Sequence, residues 1–194
     1  MPMKWYTANK ENKLCIIDMS QGFSTISVAP EAQRIIAQVG RYLTAKNMTV
    51  SCAESCTGGG LAFALTSVDG SSAWFNQSFV TYSNQAKSSL LGVSEQTLQD
   101  YGAVSAQCVA EMARGTAAKT GADCVISISG IAGPNGGSAE KPVGTVWFGF
   151  VLDKRVYTVH QQFSGDRAAV RDSAAAFALS YLNDWLVETF GEDL

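Results

Sequence analysis

The sequence predicts an α/β fold: a three-layer α/β/α sandwich around a mixed, mostly parallel sheet with one antiparallel hairpin. Three observations carry that expectation. Apolar runs of strand length alternate with segments whose apolar residues recur at helical spacing, the pattern of strand–helix–strand units. Two runs, Val143 to Leu152 and Val156 to Phe163, are separated only by Asp153-Lys154-Arg155, a connection short enough for a hairpin. With 46% hydrophobic and 16% charged residues, the 194-residue chain is far too apolar to be disordered and long enough for one domain that buries a sizeable core.

Taken in order, residues 1–28 are mixed in pattern and form an N-terminal extension, expected as one peripheral strand around Leu14 to Asp18 plus a flexible arm. The fold proper occupies 29–194. Pro30 suits the first turn of a helix, and Ile35, Ile36, Val39 and Leu43 give its apolar stripe. A short strand, Met48 to Cys52, leads through Ala53-Glu54-Ser55-Cys56 into a helix expected over Thr57 to Val68. Trp74 to Tyr82 reads as a strand, and Ser83 as the N-cap of a helix carrying Lys87. Ser94 and Glu95 open a short helix. A longer one from Ser105 to Lys119 buries Val109, Met112, Ala113 and Thr116 and stops at Gly121. Cys124 to Ser129 is a buried strand that breaks into the loop Gly130-Ile131-Ala132-Gly133-Pro134-Asn135-Gly136-Gly137. After the hairpin, a last helix starts near Asp166, with Val170, Ala174, Phe177, Tyr181 and Trp185 at helical spacing.

Composition removes several function classes. The net charge is −3 and no basic run stands out, so nucleic acid is not an expected partner. The longest apolar stretch falls far short of the ~20 residues that span a bilayer, and no secretory leader is expected. Five cysteines form no C-x-x-C pair and are accompanied by one histidine, so the expectation is reduced thiols in a cytoplasmic protein with neither disulfide framework nor metal site.

Four features carry candidate chemistry. Ser55 lies at a strand-to-helix junction ahead of three glycines, where unpaired backbone N–H groups can hold an oxyanion or a phosphate. An N-capping serine is the simpler meaning of the same pattern. Lys87, in the first turn of its helix, is placed for a lowered pKa and for Ser–Lys nucleophilic catalysis; Tyr82, five residues earlier, could relay the proton or hold the amine. A surface lysine and a core-edge tyrosine would leave the same trace. Cys56 is a rival nucleophile, but its only histidine base would be His160, which reads as a surface strand residue. The loop after Ser129 and the segment Ser164-Gly165-Asp166-Arg167 are candidate anion cradles; neither matches a dinucleotide fingerprint or a P-loop.

Seven ordered motifs together resemble the CinA C-terminal domain family, and within it the stand-alone nicotinamide mononucleotide deamidases. They are Ala53-Glu54-Ser55-Cys56-Thr57-Gly58-Gly59, Ser71-Ser72-Ala73-Trp74-Phe75, Val80-Thr81-Tyr82-Ser83-Asn84 with Lys87, Gly102-Ala103-Val104-Ser105, Ser129-Gly130-Ile131-Ala132-Gly133-Pro134, Lys141-Pro142-Val143-Gly144-Thr145-Val146 and Ser164-Gly165-Asp166-Arg167. The resemblance implies hydrolysis of the carboxamide of nicotinamide mononucleotide to nicotinic acid mononucleotide and ammonia, in pyridine nucleotide salvage, without metal or organic cofactor. It also implies a homodimer or higher homo-oligomer. Carried over by motif, Ser55 is the nucleophile, with Tyr82 and Lys87 completing the catalytic set. Thr57, Gly58, Ser129 and Gly130 are substrate-binding, and Arg167 is the partner of the phosphate. A non-catalytic nucleotide-binding or competence-associated module with the same pocket is the alternative.

Overall fold

The structure, a computed structural model, describes residues 15–18 and 25–191. It contains β1 (Cys15–Asp18), β2 (Thr25–Val28), α1 (Pro30–Ala45), β3 (Val50–Glu54), α2 (Gly60–Leu65), β4 (Phe75–Val80), α3 (Asn84–Leu91), α4 (Glu95–Asp100), α5 (Ala106–Thr120), β5 (Cys124–Gly130), β6 (Thr145–Leu152), β7 (Arg155–Gln162) and α6 (Arg167–Phe190). The extension departs from expectation. Its strand pairs with a second one, β2, in an antiparallel two-stranded sheet of its own; the proposed arm lies outside the described residues.

The main sheet has the order β4-β3-β5-β6-β7. The pairs β3–β4 and β3–β5 are parallel, while β5–β6 and the β6–β7 hairpin are antiparallel. Four of the five strands therefore run one way, and β6 alone runs against them. The three layers are present. Alternation along the strands sends Cys52, Ile126, Ile128, Phe148 and Phe150 into one core, which α1, α2 and α6 cover with Ile36, Leu43, Leu61, Ala174 and Leu182. On the opposite face, Ala53 packs with Leu91, Cys108 and Met112 of α3 and α5, and Val125 and Val151 pack with Ala113. Gly149 of β6 lies so close under α5 that a Cβ there would be driven into the Val109 carbonyl.

Two boundary differences decide the geometry of the site. The strand predicted to end at Cys52 runs on to Glu54, so Ser55 follows directly on a fully buried strand end. The helix predicted from Thr57 begins only at Gly60. Gly58 and Gly59 adopt φ of +60° and +94°, left-handed values that side chains with a Cβ rarely take, and this breaks the path before the helix begins. Residues 55–59 are therefore a turn, closed by Gly58 N–H donating to the Ser55 carbonyl at 3.1 Å.

Candidate active site

The parallel strands β4, β3 and β5 all end at the same edge of the sheet, the place where open α/β sheets bind ligands. Ser55 N–H donates to the Ile128 carbonyl at 2.9 Å, and Thr81 N–H to the Glu54 carbonyl at 2.8 Å, so the three strand ends are tied together. The two-residue period of β3 turns Glu54 toward the α2 side and Ser55 toward the α3/α5 side. On β5 the same period puts Ser129, with Ser127, on the face that Ser55 shares.

Lys87 comes from α3, whose start is fixed by Ser83 Oγ accepting from Ala86 N–H at 3.0 Å. Its side chain is 1% exposed, and Nζ lies 2.9 Å from Ser55 Oγ, 2.8 Å from the Thr81 carbonyl and 3.3 Å from the Tyr82 carbonyl. All three partners are uncharged. Burial lowers the Lys87 pKa below its usual 10.5, desolvation of the charged amine being the largest cause. A neutral amine has two hydrogens and one lone pair. In that form the two carbonyls accept both hydrogens and the lone pair is free for the serine hydroxyl; in the charged form the third hydrogen is donated to Ser55 Oγ.

Tyr82 is divided between two jobs. Its main-chain carbonyl helps hold Lys87, as above. Its phenol does not reach the amine: Tyr82 Oη accepts from Arg167 Nη2 at 2.9 Å, and Arg167 Nη1 donates to the Gly133 carbonyl at 2.8 Å. The relay through the phenol is thus replaced by direct contact of Lys87 with Ser55. A cleft of about 230 Å³ opens over this pair, lined among others by Ser55, Tyr82, Lys87, Ser129, Gly130 and Arg167. No lining residue carries a carboxylate.

Two of the expected binding residues are not among those that line the cleft. Gly58 does not line the cleft, and its N–H is already bonded within the turn. Thr57 is buried behind the turn with its hydroxyl unpartnered. The N–H groups of Cys56 and Thr57 donate to no main-chain carbonyl among the described residues, so these two amides of the turn are free to receive an oxyanion. The Cys56 thiol lines the cleft, but burial first of all pushes its pKa up to about 11, so it is a poor nucleophile at neutral pH. His160 is exposed on β7, its ring tilted 32° against that of Trp147 with centroids 4.9 Å apart. Among the described residues no cluster of metal-ligating side chains occurs, and no helix is long and apolar enough to cross a membrane.

Two residues that support the turn are absent from the sequence-based candidates. Glu54, fully buried, accepts from Gly59 N–H at 3.1 Å, Leu61 N–H at 3.1 Å and Ala62 N–H at 2.9 Å, capping α2 from the preceding strand. Arg171 of α6 donates from Nη2 to the Thr57 carbonyl at 2.9 Å. An acidic residue just ahead of a serine-glycine turn could have suggested the first. A contact spanning 114 positions could not have been found from sequence.

Several known proteins are similar to this chain. The chain is 64% identical over 143 residues, 73% of its length and 87% of the relative's, to the nicotinamide-nucleotide amidohydrolase PncC of Enterobacter agglomerans. It is 54% identical over 153 residues, 78% of its length and 93% of the relative's, to the protein of the same name in Escherichia coli K12. A crystal structure of a competence-damaged protein (CinA) superfamily member from Klebsiella pneumoniae superposes with a TM-score of 0.78 at 39% identity, covering 81% of this chain and 98% of that one. The CinA C-terminal domain model matches residues 32–186, which takes in every strand of the main sheet and both sides of the cleft. With that span matched, the chain belongs to the CinA C-terminal domain family.

Proposed function

We propose that this chain is a nicotinamide-nucleotide amidase, which hydrolyses the carboxamide of nicotinamide mononucleotide to nicotinic acid mononucleotide and ammonia. The observation that carries the mechanism is the buried amine of Lys87, 2.9 Å from Ser55 Oγ and surrounded by uncharged acceptors. The relatives named nicotinamide-nucleotide amidohydrolase supply the substrate class.

In this reading Ser55 Oγ attacks the carboxamide carbon while its proton passes to Lys87 Nζ. The carbonyl oxygen becomes an oxyanion held by the N–H groups of Cys56 and Thr57; such donors are each worth about 3–4 kcal/mol in the transition state. Collapse breaks the C–N bond, and Lys87 returns the proton to the departing nitrogen, which leaves as ammonia. Water then attacks the ester, giving its proton to Lys87, and the second collapse frees the carboxylate and restores the serine hydroxyl. Ser129 and Gly130 face the ring, and Arg167 stands at the rim for the phosphate, where its guanidinium already holds the walls together through Tyr82 and Gly133. We further propose that the enzyme works in the cytoplasm as a homo-oligomer. Among the described residues four buried cysteines are unpaired, which suits a reducing compartment.

The test is ammonia release from nicotinamide mononucleotide by the purified protein and by Ser55→Ala. The wild type should turn over and the variant should not, with unchanged melting temperature. Binding without ammonia from the wild type would instead support the non-catalytic module.

A further inference from the structure

The hydrogen bonds of the nucleophile turn join end to end. Arg171 Nη2 donates to the Thr57 carbonyl at 2.9 Å. That carbonyl belongs to the same peptide unit as Gly58 N–H, which donates to the Ser55 carbonyl at 3.1 Å. The Ser55 carbonyl in turn shares its peptide unit with Cys56 N–H, the amide next to the nucleophile, which has no main-chain acceptor. A cation at one end of such a chain polarises each peptide in the same sense, so the last N–H carries more positive charge than it would alone.

We propose that Arg171 is a positioning residue for the reaction: acting through the Thr57–Gly58 and Ser55–Cys56 peptide units, it fixes and polarises the Cys56 N–H that receives the oxyanion. The proposal rests on Ser55 being the nucleophile. Three further observations support it. Gly58 adopts a left-handed φ of +60°, and a Cβ there would lie 3.3 Å from Arg171 Nη2, so the turn is shaped around the guanidinium. Arg171 Nε is buried with no hydrogen-bond partner, so the side chain gives up solvation to reach this carbonyl. The positive charge also reaches the neighbouring thiol, where it acts to lower the Cys56 pKa against the larger effect of burial.

The experiment compares wild type, R171Q and R171K in two assays. One is steady-state ammonia release from nicotinamide mononucleotide. The other is acylation by p-nitrophenyl acetate, an ester that needs the oxyanion site but no nucleotide recognition. R171Q keeps a donor without the charge; it should lose about tenfold in kcat with KM held, and lose the same factor in ester acylation. R171K, which restores the charge, should recover most of that loss. R171M, which keeps the aliphatic stem, is the second uncharged variant should R171Q not fold. Unchanged kcat in the uncharged variants would overturn the proposal. So would a loss confined to KM, a loss that lysine fails to recover, or one that vanishes when rates are scaled to the folded fraction. A wild type that acylates but releases no ammonia would sink the proposed substrate, and the ester rates would still decide the role of Arg171.

Discussion

Replacing Glu54 with alanine tests whether the turn is held from beneath. Three N–H groups would lose their acceptor: that of Leu61, which is buried, and those of Gly59 and Ala62, which are partly buried. The Leu61 donor has no access to water and carries the full cost of an unmade bond, about 1–3 kcal/mol; the other two can rehydrate and cost about 0.5–1 kcal/mol each. Relief of the buried carboxylate's own desolvation offsets part of this. The net expectation is a loss of about 3 kcal/mol, which for a chain of this size lowers the melting temperature by about 6–12 °C. Glu54→Gln keeps the volume and one accepting oxygen but sets an NH2 against a backbone donor, so it should lose about half as much. Thermal unfolding followed by circular dichroism reads the stability, and ammonia release reads the position of Ser55. Glu54→Ala with wild-type melting and wild-type turnover would refute the reasoning, because it would mean those N–H groups find other acceptors at no cost.

Three other changes have definite signs. Lys87→Met should reduce kcat by about 10³-fold or more, the scale of losing a general base. It should also alter stability with pH. Burial lowers the Lys87 pKa, so between that folded value and 10.5 the unfolded chain holds a proton that the folded chain has released. Stability contributed by this group therefore rises with pH across that window, and methionine should flatten the rise; in the wild type, kcat/KM should climb through the lower end of the same window. Denaturant titrations and rate profiles at several pH values check both. Cys56→Ala should keep turnover within about threefold, and iodoacetamide at neutral pH should leave the wild type active, since a thiol near pKa 11 is almost wholly protonated. Gly149→Ala should destabilise the fold by about 1–3 kcal/mol in chemical denaturation, because its Cβ meets backbone of α5 that cannot step aside.

The α/β layering and the strand–helix alternation were legible in the sequence because each element carries its own period. The pairing of Ser55 with Lys87 was legible only through the seven motifs taken together, since a capping serine and a surface lysine would leave the same local trace. What the sequence concealed lies in features with no local period. The helix after Ser55 starts at Gly60, because two left-handed glycines and the Glu54 carboxylate impose a turn that apolar spacing cannot report. Tyr82 was assigned through its phenol, whereas its carbonyl meets the lysine, and a main-chain group has no signature in residue type. The motif marks Thr57 and Gly58 as binding residues without saying which atoms are free: the fold buries the Thr57 hydroxyl and leaves its N–H without a main-chain acceptor, and it bonds the amide of Gly58 within the turn. The second strand of the N-terminal hairpin, Thr25–Val28, has too few residues for alternation to register.

The amine that activates Ser55 is held by carbonyls at the end of β4, and β4 lies at the outer edge of the sheet with one neighbour only. None of the six residues of β4 is fully buried, and segments with few buried contacts open at lower cost than the core. Reactivity in this molecule is therefore hung on a thinly covered border ribbon, and mild warming or dilute urea should silence the chemistry while the bulk of the interior is still intact.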